Sequence, residues 1–89
     1  MKWFKNKNSL LTDSYNNQFY TVNANDKYNG IVLEYNDIDI TICENTHIDC
    51  KIGDKLISIN NINVNHTNLE KILYRFKNKN KKLKFQCYL

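Results

Sequence analysis

The chain predicts a mainly β domain of the α+β class, with five or six strands and one main helix near residues 68–77. Short runs rich in β-branched and aromatic residues recur along it, separated by Asn, Asp and Gly turns. Leu69 to Phe76 spaces its apolar residues for a helix. The stretch Ile52 to Asn61 reads turn, strand, turn: Gly53 accepts positive φ, Asp54 bonds nearby backbone, Leu56, Ile57 and Ile59 form an apolar run, and Asn60-Asn61 reverses the chain. Eighty-nine residues make one domain. A chain this size buries about 60–65% of its extended surface, which leaves no room for a second domain or a large cavity.

Residues 1–17 are polar with islands at Trp3-Phe4 and Leu10-Leu11, and read as an N-terminal extension; the domain proper spans 18–89. The extension is expected to dock its aromatic pair on the domain or on a partner. Trp3, Lys7, Leu10 and Leu11 share a helical face, but the stripe is thin for a membrane-surface helix. Gln18 to Asn23 reads as a first strand, and Asn25 to Gly30 as a turn-rich loop. Ile31 to Tyr35 is a second strand, and Asn36-Asp37 a turn. Ile38, Ile40 and Ile42 alternate with Asp39 and Thr41 as a third strand, expected to be half buried and half wet. Residues 44–51 are an irregular link held by Ile48. Lys55 to Ile59 and Ile62 to Val64 are the fourth and fifth strands. Thr67 or Asn68 is positioned to cap the helix, whose stripe is Leu69, Ile72, Leu73 and Phe76. Lys77 closes it near the negative end of its dipole. Leu83, Phe85, Cys87 and Leu89 alternate with Lys84, Gln86 and Tyr88 as a last strand.

The net charge is +4, and it is unevenly spread. Lys2, Lys5 and Lys7 lie at the front and Lys77, Lys79, Lys81, Lys82 and Lys84 at the back. Six acids lie between Glu34 and Asp54 against Lys51 alone. A basic end of this kind attracts phosphates or carboxylates. No run approaches the 18 apolar residues of a membrane span, and Met1 to Lys5 lacks the apolar core of a secretory signal. Three cysteines without a signal point to free thiols and a cytoplasmic location.

The order β-loop-β-β-link-β-β-α-β resembles that of a PDZ domain, over roughly Phe19 to Tyr88. Gly53 to Val64 (GDKLISINNINV) carries the resemblance: Gly-Asp, a buried strand, an Asn-Gly-like turn, then hydrophobic-x-hydrophobic. Leu69, Ile72, Leu73, Phe76, Leu83 and Phe85 continue it without a gap. The family's Gly-hydrophobic-Gly-hydrophobic loop falls on Tyr28, Asn29, Gly30 and Ile31, of which the last two fit. Asn29 stands where a leucine-like residue is usual. The link before Gly53 is about three residues short, so the family's small first helix is expected to be one turn or missing.

The resemblance implies a small, partly open antiparallel β-barrel or sandwich that binds the C-terminal tail of a partner by strand addition between the second strand and the helix. The physical basis is a sheet edge whose backbone groups pair with an extended peptide, and a Gly-containing loop that turns N–H groups toward a carboxylate. It places the backbone of Asn29, Gly30 and Ile31 on the carboxylate, and Ile31, Leu33, Leu73 and Phe76 around the last side chain. Leu69 takes the position that sets preference two residues upstream; having no hydrogen-bonding group, it implies the motif hydrophobic-x-hydrophobic-carboxylate. The alternative is a closed groove, with a structural role, dimerisation through Trp3-Phe4, or phosphoinositide binding by Lys27, Lys77, Lys79, Lys81 and Lys82 at the inner membrane surface. The chain is expected to be a monomer or weak dimer.

Other constellations weigh less. Cys43-x3-His47-x2-Cys50, with His66 or Cys87 as a fourth ligand, lacks the paired Cys-x2-4-Cys spacing of zinc sites, so no metal or other cofactor is expected. Cys43 and Cys87 read as small buried hydrophobes. No convergence of nucleophile, base and orienting group points to an enzyme. Nucleic acid is not expected as a partner, because the lysines lack interleaved aromatics on a shared sheet face.

Overall fold

A computed structural model describes residues 4–6, 15–25, 30–45 and 49–88, with backbone alone for Phe4–Asn6 and Asn45. Its elements are β1 (Phe4–Asn6), β2 (Tyr15–Ala24), β3 (Ile31–Tyr35), β4 (Ile40–Asn45), β5 (Lys55–Ile59), β6 (Ile62–Asn63), α1 (Leu69–Arg75) and β7 (Lys81–Tyr88). The strands form one open sheet in the order β1-β3-β4-β5-β7-β2, with β6 paired to β5. Every pairing is antiparallel except β1 with β3. This is a small α+β fold, mostly antiparallel sheet with one short helix.

The turns form where the Asn residues stand. Asn60 and Asn61 both adopt positive φ, 50° and 67°, which closes a two-residue hairpin from Ile59 to Ile62. Asn60 also extends the neighbouring pairing: its N–H donates to the Lys82 carbonyl at 2.8 Å, and its side-chain oxygen accepts the Lys82 N–H at 2.7 Å. Asn36 folds the β3–β4 turn by accepting the N–H groups of Ile38 and Asp39 on its side-chain oxygen, at 2.8 and 3.0 Å.

That turn corrects the third strand. Residues 36–39 are spent on it, so Ile38 lies outside the strand and is 59% exposed. The strand starts at Ile40, and Thr41 is buried along with Ile40 and Ile42. It is therefore covered on both faces rather than half wet. The last strand starts earlier than its apolar run, at Lys81, and the first at Tyr15, within the 1–17 extension.

The helix is shorter than expected at both ends. It spans seven residues, and Asn78 at φ 63° turns the chain out of it. Asn68 holds the N-cap position, but its side chain makes no capping bond. Its oxygen accepts the Asn65 N–H at 2.8 Å, while the Asn65 oxygen accepts the N–H groups of Thr67 and Asn68 at 2.9 and 3.1 Å. Asn65, three residues upstream, organises the entry that Thr67 or Asn68 was expected to cap.

The core gathers Val22 and Ala24 of β2, Ile31 and Leu33 of β3, Ile40 and Ile42 of β4, Leu56 and Ile59 of β5, Leu83 and Phe85 of β7, and Leu69 and Ile72 of α1. Gly53-Asp54 locks β5 into it. The Gly53 N–H donates to the Ile42 carbonyl at 2.8 Å, and the Ile42 N–H to the Asp54 carbonyl at 3.0 Å. Gly53 has φ 98°, and a Cβ there would meet the Tyr88 ring at 3.4 Å, so only glycine fits without strain. The Asp54 carboxylate reaches across the sheet. It accepts the Tyr20 hydroxyl from β2 and the Tyr88 N–H from β7, the latter at 2.9 Å. Sequence proximity suggested a local turn bond; the partners of the side chain lie 34 residues away on either side.

Candidate functional site

The predicted strand-addition edge is the side of β3 away from β4. In the structure that side carries β1 in parallel register, with Phe4 opposite Leu33, Lys5 opposite Glu34 and Asn6 opposite Tyr35. The edge therefore receives an extended segment, and the segment comes from the chain's own 1–17 stretch. Phe4–Asn6 was read as part of a docking extension with a weak helical face; it is a strand.

Gly30 enters β3 at φ 65°, a backbone region that glycine adopts without steric cost, and it is exposed. The flanking Asn29 and the basic Lys27 lie outside the described residues. Ile31 and Leu33 point inward on β3, and Leu69, in the first turn of α1, belongs to the same core; their exposures are 1%, 0% and 1%. All three belong to the core in this state, so none offers an open pocket wall. Leu73 and Phe76 are partly buried against the same core. Ile72, which was assigned only to the helical stripe, is buried more deeply than Leu73.

The basic run after α1 is not one patch. Strand alternation sends Lys81 inward, opposite Ala24, where it is 0% exposed and its Nζ donates to the Lys79 carbonyl at 3.0 Å. This corrects its assignment to a surface anion contact: a buried ammonium is not presented to a headgroup. Lys77, Lys79 and Lys82 remain exposed.

None of the three cysteines forms a disulfide, and Cys50 rather than Cys43 or Cys87 is the buried one. Burial pushes the Cys50 thiol up to about 11, and the nearby Asp54 and Asp49 carboxylates add to it against a lowering hydrogen bond from Tyr20. Burial, the bond to Asp54 and its charge likewise raise the Tyr20 hydroxyl. A thiol held protonated is a poor nucleophile. Tyr20, Cys50 and Asp54 thus make a structural cluster. Among the described residues no three His, Cys, Asp or Glu side chains gather as a metal site, and His47 lies outside them. His66 approaches Asp37 at 3.8 Å, at the surface. No helix among the described residues is long and apolar enough to cross a membrane.

Comparison with known proteins gives no family: no protein-family model, no curated protein and no solved structure matches the chain.

Proposed function

We propose that the chain is a PDZ-like interaction module that binds the hydrophobic C-terminal tail of a partner at the outer edge of β3. The observation that carries this reading is the pairing of Phe4–Asn6 on that edge, which makes β3 a strand that takes up an added strand. The left-handed Gly30 at its start and the element order after β1 support it. The tail's carboxylate meets the backbone of Asn29, Gly30 and Ile31, and its side chains meet Leu69, Leu73 and Phe76, with Ile31 and Leu33 beneath. A tail with its carboxylate at the start of β3 runs antiparallel to β3, whereas β1 runs parallel. The two use the same backbone groups and exclude each other. Each buried ligand side chain contributes roughly 1.5–3 kcal/mol, less the cost of ordering the tail and of releasing β1.

The same pairing favours a second reading, in which β1 closes the edge permanently and the domain is structural. One titration separates them. Peptides ending hydrophobic-x-hydrophobic, with free or amidated termini, are measured against the full chain and against a chain lacking residues 1–6. The tail-binding reading expects binding that needs the free carboxylate and strengthens about tenfold or more when β1 is removed. Absence of binding to both chains removes the tail-binding reading. Tighter binding of Ser or Thr than of Val or Phe at the upstream position removes the motif assigned through Leu69.

A further inference from the structure

We propose that the outer face of β2, β7 and β5 is a binding surface for single-stranded nucleic acid, distinct from the β3 edge. Residues opposite each other in antiparallel strands share a face. The pairs on the outer face are Tyr15 with Tyr88, Phe19 with Gln86, Thr21 with Lys84 and Asn23 with Lys82, and Lys55 of β5 also stands opposite Gln86. The register thereby interleaves lysines and aromatic rings that lie far apart in sequence. Lys84 Nζ sits 5.0 Å from the Phe19 ring centre, and Lys55 Nζ 5.7 Å from that of Tyr15. Tyr15 and Tyr88 meet edge-to-face at 6.0 Å.

The rings are open to solvent where a base would stack: Phe19 is 48% exposed and Tyr88 46%. The open part of the Phe19 ring is a flat surface on which a nucleobase can stack. Lys82 and Lys84 are exposed beside it. The acids close to this face are turned to internal use. Asp54 is buried and accepts the Tyr20 hydroxyl and the Tyr88 N–H, and Asp39 is buried and accepts the Tyr15 hydroxyl at 3.2 Å. Glu34 shares this face, but it stands on β3, opposite Thr41 and so two strands beyond Lys55, and Glu44 is on β4; neither is on β2, β7 or β5. Among the described residues Thr41 with Lys55 is the only register pair joining β4 to β5. The exposed charge on the β2–β7–β5 face is thus positive among the described residues. Positive charge alone would suit an anionic lipid equally well; the stackable rings favour nucleic acid over lipid, and single strands over duplex, whose bases are already stacked.

The test is fluorescence anisotropy of the full chain with a labelled ten-nucleotide oligothymidylate, a duplex of the same length, and vesicles containing phosphatidylserine. We expect the single strand to bind more tightly than the duplex. Its salt dependence should have a log–log slope of about −2, as for three lysines near single-strand phosphates. Phe19→Ala should weaken binding roughly tenfold at unchanged slope, and Phe19→Trp should retain it. Lys84→Gln should reduce the slope by about 0.7. Equal affinity for duplex and single strand, binding to vesicles alone, or indifference to Phe19→Ala would overturn the proposal. A peptide that fills the β3 edge should leave oligonucleotide binding intact, so failure here and failure of tail binding are read separately.

Discussion

Leu33 on β3 and Phe19 on β2 are both large, apolar and carried by strands, yet Leu33 is wholly enclosed and Phe19 is half open. At the β3 end, the side chains assigned to a ligand are the ones that hold the sheet to α1. At the β2–β7 end the inward phase (Tyr20, Val22, Leu83, Phe85) builds the core, with Tyr20 and Phe85 stacked at 5.5 Å, while Phe19, Lys82 and Lys84 of the outward phase stay at the surface. A recognition surface made from the core can open only by a rearrangement; in the proposed tail binding that includes release of β1. A surface made from the outward phase is ready as it stands. The lesson is that the two candidate surfaces should respond oppositely to mutation: the first through stability, the second through binding.

The largest expected effect tests that contrast directly. Leu33→Ala removes buried methyl groups from the centre of the core and should cost about 2–5 kcal/mol in urea unfolding, whereas Phe19→Ala should stay within about 0.5 kcal/mol. Similar costs for both would break the distinction. Next comes the latch that joins β2, β5 and β7. Asp54→Ala strips the Tyr20 hydroxyl and the Tyr88 N–H of their acceptor and should destabilise by about 2–3 kcal/mol. If it cost no more than Phe19→Ala, the β2–β7 end would not depend on this buried carboxylate.

The smallest effect is a pH slope. Below pH 9 the Cys50 thiol is protonated in both folded and unfolded chains and contributes no slope. Between the ordinary thiol value of 9.0 and about 11, the unfolded chain releases the proton while the folded chain keeps it, so stability falls as pH rises. The raised Tyr20 hydroxyl acts in the same direction at higher pH. Cys50→Ala should flatten the decline between pH 9 and 11, measured by denaturant midpoints. An unchanged decline would show that the thiol is not shielded.

Much of the fold was readable from residue order. Asn60-Asn61 turned as its left-handed tolerance suggests, the helical stripe from Leu69 formed a helix, and the strand segments lie where β-branched and aromatic residues cluster. These features are local, set by backbone preference and by side-chain period within a few residues. The misreadings came where a distant partner decides. Asp54 bonds Tyr20 and Tyr88 rather than its own turn; Lys81 is drawn inward by the register of β7 against β2; and Phe4–Asn6, with no strand pattern of its own, becomes a strand because β3 offers an unfilled row of backbone groups. The candidate sites divide the same way. Gly30 and the apolar residues of β3 and α1 could be named from sequence, but their enclosure could not, since burial is a property of the whole packed sheet. The grouping of Phe19, Tyr15 and Tyr88 with Lys55, Lys82 and Lys84 was invisible in the linear sequence. It exists only because antiparallel pairing sets residues dozens of positions apart side by side on one face. Local sequence set most of the elements and their turns, β1 excepted. Tertiary structure decided which edge is covered, which lysine is buried and which rings meet positive charge, because strand register and packing are fixed by contacts between segments remote along the chain.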